Sequence, residues 1–317
     1  MTLQQLDYAL ALAKYGSYSK AAQAVGITQP AMSLRIKKLE EGVGLVLFDR
    51  SQKPVRPTLE GKLFLEKAQF LLTQADQLRD FALGLQQEIK GEIQIGIIPT
   101  LAPYMLPLFI NDLNQQFGEL KLHIKEMLTL EIIEGLRSGT LHAGIISTPI
   151  THKTQFIIKP LFYERFLLFV SDDHPLFQYK KITVDQIPTH ELWLLKEGNC
   201  FRDQVDNLCE SSSLGEQQEL FLYESSSIES LCRIVEHKGG ITFLPELSTL
   251  HLTAEREDMI KEIAGRPRVR EISMIHLPNE VRVNLVDEVA KVIQKNIPSH
   301  MINKDPTEVI PTRVQEI

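Results

Sequence analysis

From Phe64 onward, apolar residues recur at alternating spacings of four and three: Phe64, Ala68, Leu71, Ala75, Leu78, Ala82, Leu85 and Ile89. That spacing is a heptad seam, and it predicts one continuous helix from Thr58 to about Lys90 whose apolar stripe needs a second helix to cover it. A rod of this length divides the 317-residue chain into a head over 1–58, the linker helix itself over 59–90, a body over 91–300 and a tail over 301–317. Pairing with a second copy, as a homodimer, is the expected use of the seam. Burial against the chain's own body is the competing reading, and the length of the helix weighs against it. Pro306 and Pro311 among mixed charges predict a loose tail.

Charge separates the same parts. The whole chain carries −7, yet residues 1–60 hold eight Lys and Arg against five Asp and Glu, so the head is +3 and the remainder −10. A basic head on an acidic body suits a nucleic-acid-binding end. Residues 1–13 are amphipathic rather than continuously apolar, and no run approaches the ~20 apolar residues of a membrane span. Neither a secretory leader nor a membrane segment is therefore expected, and the cytoplasm is the natural compartment. Long-lived structural disulfides are rare there, so a cytosolic disulfide would be transient and regulatory.

Within the head, residues 2–14 read as a helix with Leu3, Leu6, Leu10 and Ala13 on one face, ended by Gly16. Ser19 is placed to cap a second helix carrying Ala21, Ala22 and Val25. Gly26 then turns the chain, Ile27 plugs the turn, and Thr28 caps a third helix with Pro30 in its first turn. Met32, Ile36 and Leu39 would face inward, leaving Gln29, Ser33, Arg35 and Lys37 toward solvent. A short helix, a tight glycine turn and a capped helix with a polar, basic face make a helix-turn-helix, whose second helix lies in a major groove. Gln29 and Arg35 can read base edges bidentately, whereas Lys37 and Lys38 suit phosphates. Residues 46–58 read as two short strands around a turn at Ser51–Pro54, a wing tipped by Arg50, Lys53 and Arg56. A merely solvated amphipathic helix pair is the bland alternative.

The body alternates apolar strand-like runs with helical stretches. Strands are expected at Ile93–Ile98, Leu122–Glu126, His142–Ile146, Arg165–Ser171, Leu192–Leu195, Leu220–Glu224, Ile241–Leu244 and Glu271–His276. Helices are expected at 101–117, 130–138, 200–211, 227–238 and 280–295. This is an α/β pattern with parallel sheets, in which ligands sit beyond strand ends at helix N-termini. Thr100, Thr129 and Cys200 each follow a strand and open a helix, which points to one shared cleft. Either threonine taken alone reads as a plain cap.

Cys200 also begins a short stretch that ends at Cys209. Asn199 is placed to cap the helix, so the dipole and the unpaired N–H groups would favour a thiolate, and Arg202 adds positive charge nearby. A lowered thiol pKa is the expectation. If 200–209 is helical, the two Cα atoms lie roughly 13 Å apart, whereas a disulfide needs about 4.4–6.8 Å. The pair can bond only if the segment unwinds, which makes it a candidate switch. Two inert, buried thiols are the competing reading. The spacing is not the Cys-x-x-Cys kind and no nearby His completes a ligand set, so no metal is expected. Cys232, in Ser-Leu-Cys-Arg-Ile-Val, reads as packing.

The order of parts resembles the LysR-type transcriptional regulators: a winged helix-turn-helix, a long linker helix, then two α/β subdomains like those of periplasmic binding proteins. The run Ala21-Ala22-x-x-Val25-x-x-x-Gln29-Pro30-Ala31-x-Ser33-x-x-Ile36-x-x-Leu39-Glu40 is similar to that family's N-terminal signature. Within the family, Gly198-x-Cys200-x-Arg202-Asp203-Gln204 followed by Cys209 resembles the peroxide-sensing OxyR branch. So do Ile98-Pro99-Thr100, Pro103-Tyr104-x-Leu106-Pro107 and Gly240-Ile241-Thr242-x-Leu244-Pro245. The resemblance implies a transcription factor, not an enzyme, with Cys200 as peroxidatic and Cys209 as resolving cysteine. It also implies a peroxide pocket drawn from Thr100, Thr129, Asn199, Arg202, Asp203 and Arg270. Its implied partners are double-stranded promoter DNA at a pseudo-palindromic site, hydrogen peroxide, RNA polymerase, and further copies of itself up to a homotetramer. It implies no cofactor. Asn199 departs from the branch, which carries His there; Asn cannot exchange a proton near neutral pH. A family member answering to a small organic effector in the same cleft is the alternative. A thiol peroxidase is the competing enzyme, and it would leave residues 1–60 without a purpose.

Overall fold

Thr2 starts the first helix by a reciprocal cap: its hydroxyl accepts the Gln5 amide at 3.3 Å, and the Gln5 side chain accepts the Thr2 amide at 2.9 Å. The computed structural model describes residues 1–84, 91–118, 120–150, 155–209, 225–250, 252–303 and 308–312. An N-terminal unit, Met1–Glu88 with Ser138–Thr140, is distinct from a second unit, Ile89–Arg137 with Leu141–Ile317.

In the N-terminal unit, α1 (Leu3–Tyr15) buries Leu6, Ala9 and Leu12, while Leu3 stays exposed. The next helix, α2 (Tyr18–Ala24), starts one residue before Ser19; Ser17 holds the cap position and makes no side-chain bond there. Thr28 accepts the Ala31 amide at 3.4 Å and opens α3 (Gln29–Val43), which buries Met32, Ile36 and Leu39. A two-stranded antiparallel wing follows, β1 (Phe48–Asp49) with β2 (Arg56–Pro57). The Thr58 hydroxyl donates to the Val46 carbonyl and accepts the Gly61 amide, tying the wing to α4 (Leu59–Gly84).

The heptad seam divides along α4. Leu65 and Ala68 are buried in the head's own core, with Phe64 and Leu72 packed at its edge. Leu63, Phe70, Leu71 and Leu78 are exposed, Leu78 at 68%. Of the seam residues, Phe64 and Ala68 therefore close the head, while Leu71 and Leu78 are exposed. Leu85 and Ile89 lie outside the described residues.

The second unit begins with β3 (Gly91–Ile97), α5 (Ala102–Gln116), β4 (Leu120–Glu126), α6 (Thr129–Arg137) and β5 (Ala143–Thr148). It continues through β6 (Ile157–Val170), β7 (Lys181–Ile182), β8 (Leu192–Trp193), α7 (Cys200–Leu208), α8 (Ile228–Lys238) and β9 (Ile241–Pro245). It ends with α9 (Ala254–Met259), β10 (Ile260–Ile263), β11 (Arg268–His276), α10 (Val283–Asn296), α11 (Ser299–Ile302) and β12 (Glu308–Val309). The strand expected at 220–224 lies outside the described residues.

Two long strands, β6 and β11, carry the chain between two lobes. In the first lobe the sheet order is β4-β3-β5-β11-β6, with β3, β4 and β5 parallel. In the second, the far half of β6 pairs with β9 on one side and β10 on the other, and β8 and β7 extend the edges. The expected all-parallel sheets are thus mixed. The chain enters the second lobe along β6 and returns along β11, so these adjacent strands must run antiparallel. Ile95, Phe109, Ile132, Ile145 and Ile293 fill the first core; Leu168, Val205, Leu231, Val235 and Phe243 fill the second.

The tail is not loose where it is described. β12 adds to the edge of β11 in parallel, Ile310 is buried, and the Thr312 hydroxyl donates to the Pro149 carbonyl at 2.9 Å. Among the described residues, no helix is long and apolar enough to cross a membrane.

Gly61 sits where α4 meets the wing: a Cβ there would fall 2.0 Å from the Leu47 carbonyl oxygen. Gly61→Ala is expected to destabilise the N-terminal unit by about 1–3 kcal/mol despite the better helix propensity of alanine. An unchanged urea midpoint for that unit would contradict this packing.

Candidate functional site

Gly198 adopts φ +84, a left-handed turn that swings the chain into α7. Asn199 precedes the helix with extended backbone, but its side chain does not cap it. Instead its Nδ2 donates to the Lys196 carbonyl at 3.2 Å and to the Ser226 hydroxyl at 3.3 Å. Cys200, the first residue of α7, is 3% exposed.

Around the Cys200 sulfur converge groups from separate strand ends. Thr129, the first residue of α6, is buried, and its hydroxyl has no hydrogen-bond partner of good geometry. The group on which that hydroxyl acts is the Cys200 thiol, whose pKa it lowers. Thr100, just beyond β3, accepts from Arg270 Nη1 at 3.0 Å. Burial pushes the thiol up, and this outweighs the opposing pull of Arg270, of the Thr129 hydroxyl and of the Ser147 amide; Asp203 pushes it up further. The lowered pKa expected from the helix start is therefore reversed. The cation acting on the sulfur is Arg270 on β11. Arg202 is bonded to Asp206 at 3.1 Å, one turn along α7, and donates to the Leu195 carbonyl.

Arg270 is 0% exposed and so is Glu164, the residue directly opposite it on β6. Arg270 Nε donates to Glu164 Oε1 at 2.8 Å, and Nη2 lies 2.7 Å from the same oxygen. Glu164 Oε2 accepts the Leu247 amide at 2.8 Å. The guanidinium also lies over the Phe201 ring at 4.9 Å, and Phe201 stacks on Phe166. One buried cation thus touches β3's end, β6, β11 and the start of α7.

Sequence reasoning missed Glu164 and Ser147, and quoted Gln204 in a motif without giving it a role. The Ser147 hydroxyl donates to Gln204 Oε1 at 3.0 Å, and both residues are fully buried. Only the β6–β11 register identifies Glu164, whereas Gln204 is legible as the residue one turn from Cys200 on the same helix face.

Cys209 caps the far end of α7, its amide bonded to the Val205 carbonyl at 3.0 Å. All three cysteines are free. Burial pushes Cys209 up to about 11, with Asp206 adding and Arg268 opposing. Cys232 lies buried on α8 in the second core and is pushed up to about 12, chiefly by burial.

In the N-terminal unit, Thr28, Gln29, Pro30, Arg35 and Lys37 are exposed along α3 and Ser33 is half-buried. Arg35 lies over the Tyr8 ring at 5.4 Å. Lys53 and Arg56 are exposed on the wing. Arg50 is bonded to Glu40 at 2.6 Å, while the other Glu40 oxygen accepts the Leu47 and Phe48 amides. That contact fixes the wing to α3.

Residues 3–62 match the family described as "Bacterial regulatory helix-turn-helix protein, lysR family", and residues 86–297 match the "LysR substrate binding domain". A "Hydrogen peroxide-inducible genes activator" of Haemophilus influenzae is 30% identical over 299 residues, covering 94% of this chain and 98% of the relative. The "DNA-binding transcriptional dual regulator OxyR" of Escherichia coli is 29% identical, covering 95% and 97%. A solved full-length OxyR variant from Pseudomonas aeruginosa is 28% identical, covering 96% and 98%, with a TM-score of 0.76.

Removing one charge of the buried pair strands the other, so Glu164→Gln is expected to destabilise the second unit by about 3–5 kcal/mol; a denaturation midpoint within error of the parent would contradict it. The raised Cys200 pKa makes the thiolate a minority species at neutral pH. Its alkylation by a small reagent should therefore climb about tenfold per pH unit through pH 8. A plateau below pH 7, read by peptide mass mapping, would show the thiol to be acidified instead.

Proposed function

The chain belongs to the LysR family of bacterial helix-turn-helix transcriptional regulators, and on that premise we propose that it senses hydrogen peroxide through Cys200 and changes its DNA contacts in response. The observation that carries this reading is the buried Thr129 hydroxyl, which acts on the buried Cys200 thiol and has no other hydrogen-bond partner, beside the Arg270 guanidinium. A hydroxyl with hydrogen-bonding capacity to spare next to a nucleophile is a place for a small hydrogen-bonding molecule. The names of its relatives support the choice of peroxide.

The chemistry runs in two steps. The Cys200 sulfur attacks one peroxide oxygen, the O–O bond breaks, and the departing hydroxide takes the thiol's proton and leaves as water. Arg270 favours the thiolate, and Thr100, Thr129 and Asp203 border its surroundings. The Cys209 sulfur then attacks the sulfur of the resulting sulfenic acid, forming the S–S bond; the hydroxyl departs with the Cys209 thiol's proton as a second water. The oxidant is peroxide itself, so no metal or organic cofactor enters. With the two Cα atoms roughly 13 Å apart along a helix, closure requires α7 to unwind. Loss of its packing then shifts the reading heads, an order–disorder switch driving a rigid-body movement.

On DNA, α3 occupies the major groove with Thr28, Gln29, Pro30 and Ser33 nearest the bases, Arg35 beside them and Lys37, Lys53 and Arg56 on phosphates. Arg50 acts through Glu40 by holding the wing. The exposed stripe of α4 pairs two copies on a pseudo-palindromic promoter site; two such dimers make a tetramer in the cytoplasm, which contacts RNA polymerase.

A second reading has its own observation. A cavity of about 430 Å³ is lined by Pro103, Tyr104, Glu126, Ser226, Ile228 and Glu229, which suits a small organic effector. That reading predicts ligand-dependent thermal stabilisation and no disulfide after peroxide.

Cys200→Ser is expected to retain promoter binding and lose every peroxide-dependent change in the DNA footprint. A variant that still responds in full would refute the assignment.

A further inference from the structure

The C-terminal residues 308–312 are seated against the very helix that has to unwind. Gln204 Nε2 donates to the Ile310 carbonyl at 2.7 Å, and Asn207 Nδ2 donates to the Pro311 carbonyl at 2.9 Å. Both side chains belong to α7, between Cys200 and Cys209, and three residues apart they share one face of it. The strand itself is anchored elsewhere. β12 pairs with β11 through Arg268↔Glu308 and Val269↔Val309, and the Ile310 amide donates to the Val269 carbonyl at 2.9 Å. The Ile310 side chain is buried in the second core, and the Thr312 hydroxyl holds the Pro149 carbonyl. Arg268 closes the arrangement, donating to the Leu208 carbonyl in the last turn of α7 and pairing with Glu308 at 3.5 Å.

We propose that residues 308–312 are a strap that locks α7 in its helical form, and that its release sets how readily Cys209 reaches oxidised Cys200. This rests on the reading of Cys200 and Cys209 as the switching pair. The physical argument is one of differential contact. Gln204 meets the Ser147 hydroxyl with its oxygen and the Ile310 carbonyl with its nitrogen, so its amide is occupied at both ends only while α7 is helical. Unwinding withdraws Gln204 and Asn207 together and leaves the Ile310 carbonyl buried without that donor. An element that binds one state of a two-state segment shifts the equilibrium toward that state. The strap's contacts to α7 run through Gln204 and Asn207. It should therefore slow the second oxidation step more than the first.

The test uses the full-length chain, with Asn207→Ala removing one bond and Ile310→Asp unseating the strap. After a brief exposure to hydrogen peroxide, disulfide between Cys200 and Cys209 is quantified by non-reducing mass mapping. Sulfenic acid is trapped with dimedone in a Cys209→Ser background. Disulfide formation is expected to be roughly fivefold to tenfold faster in Ile310→Asp and less so in Asn207→Ala, with dimedone trapping nearly unchanged. In the reduced protein the α7 amides are expected to exchange faster in Ile310→Asp than in the parent. Parent-like disulfide rates in both variants would overturn the strap. If the parent forms no such disulfide, the switching pair falls instead, and exchange of the α7 amides in the reduced variants then decides the strap: acceleration upholds it and parent-like protection ends it. Should Ile310→Asp fail to fold, Asn207→Ala carries the same comparison.

Discussion

Arg270 and Glu164 face each other across the two strands that join the lobes, with no exposed surface on either side chain. Removing two charges from water is tolerable only when each finds partners for its remaining donors and lone pairs. Here Glu164 takes two guanidinium bonds and the Leu247 amide, while Arg270 also holds Thr100 and covers Phe201. Those obligations dictate where the end of β3, the start of α7 and the turn after β9 must lie. The Cys200 surroundings exist because the ion pair has already brought those elements together.

Two effects compete at the thiol, and their sizes decide the outcome. A helix N-terminus stabilises a negative charge by about 0.3–1 kcal/mol at an exposed site, less than one pKa unit. Full burial moves a pKa by up to about 3–5 units in the other direction. With Cys200 fully enclosed and Asp203 in the same first turn, Arg270, the Thr129 hydroxyl and the Ser147 amide reduce the burial effect without cancelling it. The resting site is consequently neutral at sulfur, and reactivity must come from oriented neighbours more than from a standing population of thiolate.

Much of the head was legible because its signals are local. Thr28, Pro30 and the inward triad Met32, Ile36 and Leu39 all sit within one helix, and the structure places them as the spacing required. The helices of the body were readable for the same reason. What escaped was non-local. The antiparallel course of β6 and β11 follows from the chain crossing between lobes and back, which no window of residues displays. Glu164 becomes meaningful only opposite Arg270. The tail read as loose from Pro306 and Pro311, yet a parallel edge and two amide side chains on α7 hold residues 308–312. Asn199 was a fair cap by residue type, but its Nδ2 donates to the Lys196 carbonyl and the Ser226 hydroxyl, and its side chain makes no cap bond to the helix. Arg202, expected beside the thiol, is instead taken up by Asp206 four residues along the same helix.

The strands that join the lobes have a consequence for how the molecule is made. The first-lobe sheet has β11 inserted between β5 and β6, so its centre stays open until residues 268–276 are available. The second lobe is built mostly from the chain between β6 and β11, takes β6 as its spine, and receives Ile310 from beyond β11. During synthesis, most of the polypeptide must therefore leave the ribosome before either core can close. Contacts of such long sequence separation fold slowly and expose unpaired strand edges meanwhile. Neither half is a module that could be excised or transplanted, and a nascent chain stalled before β11 would be a client for chaperones.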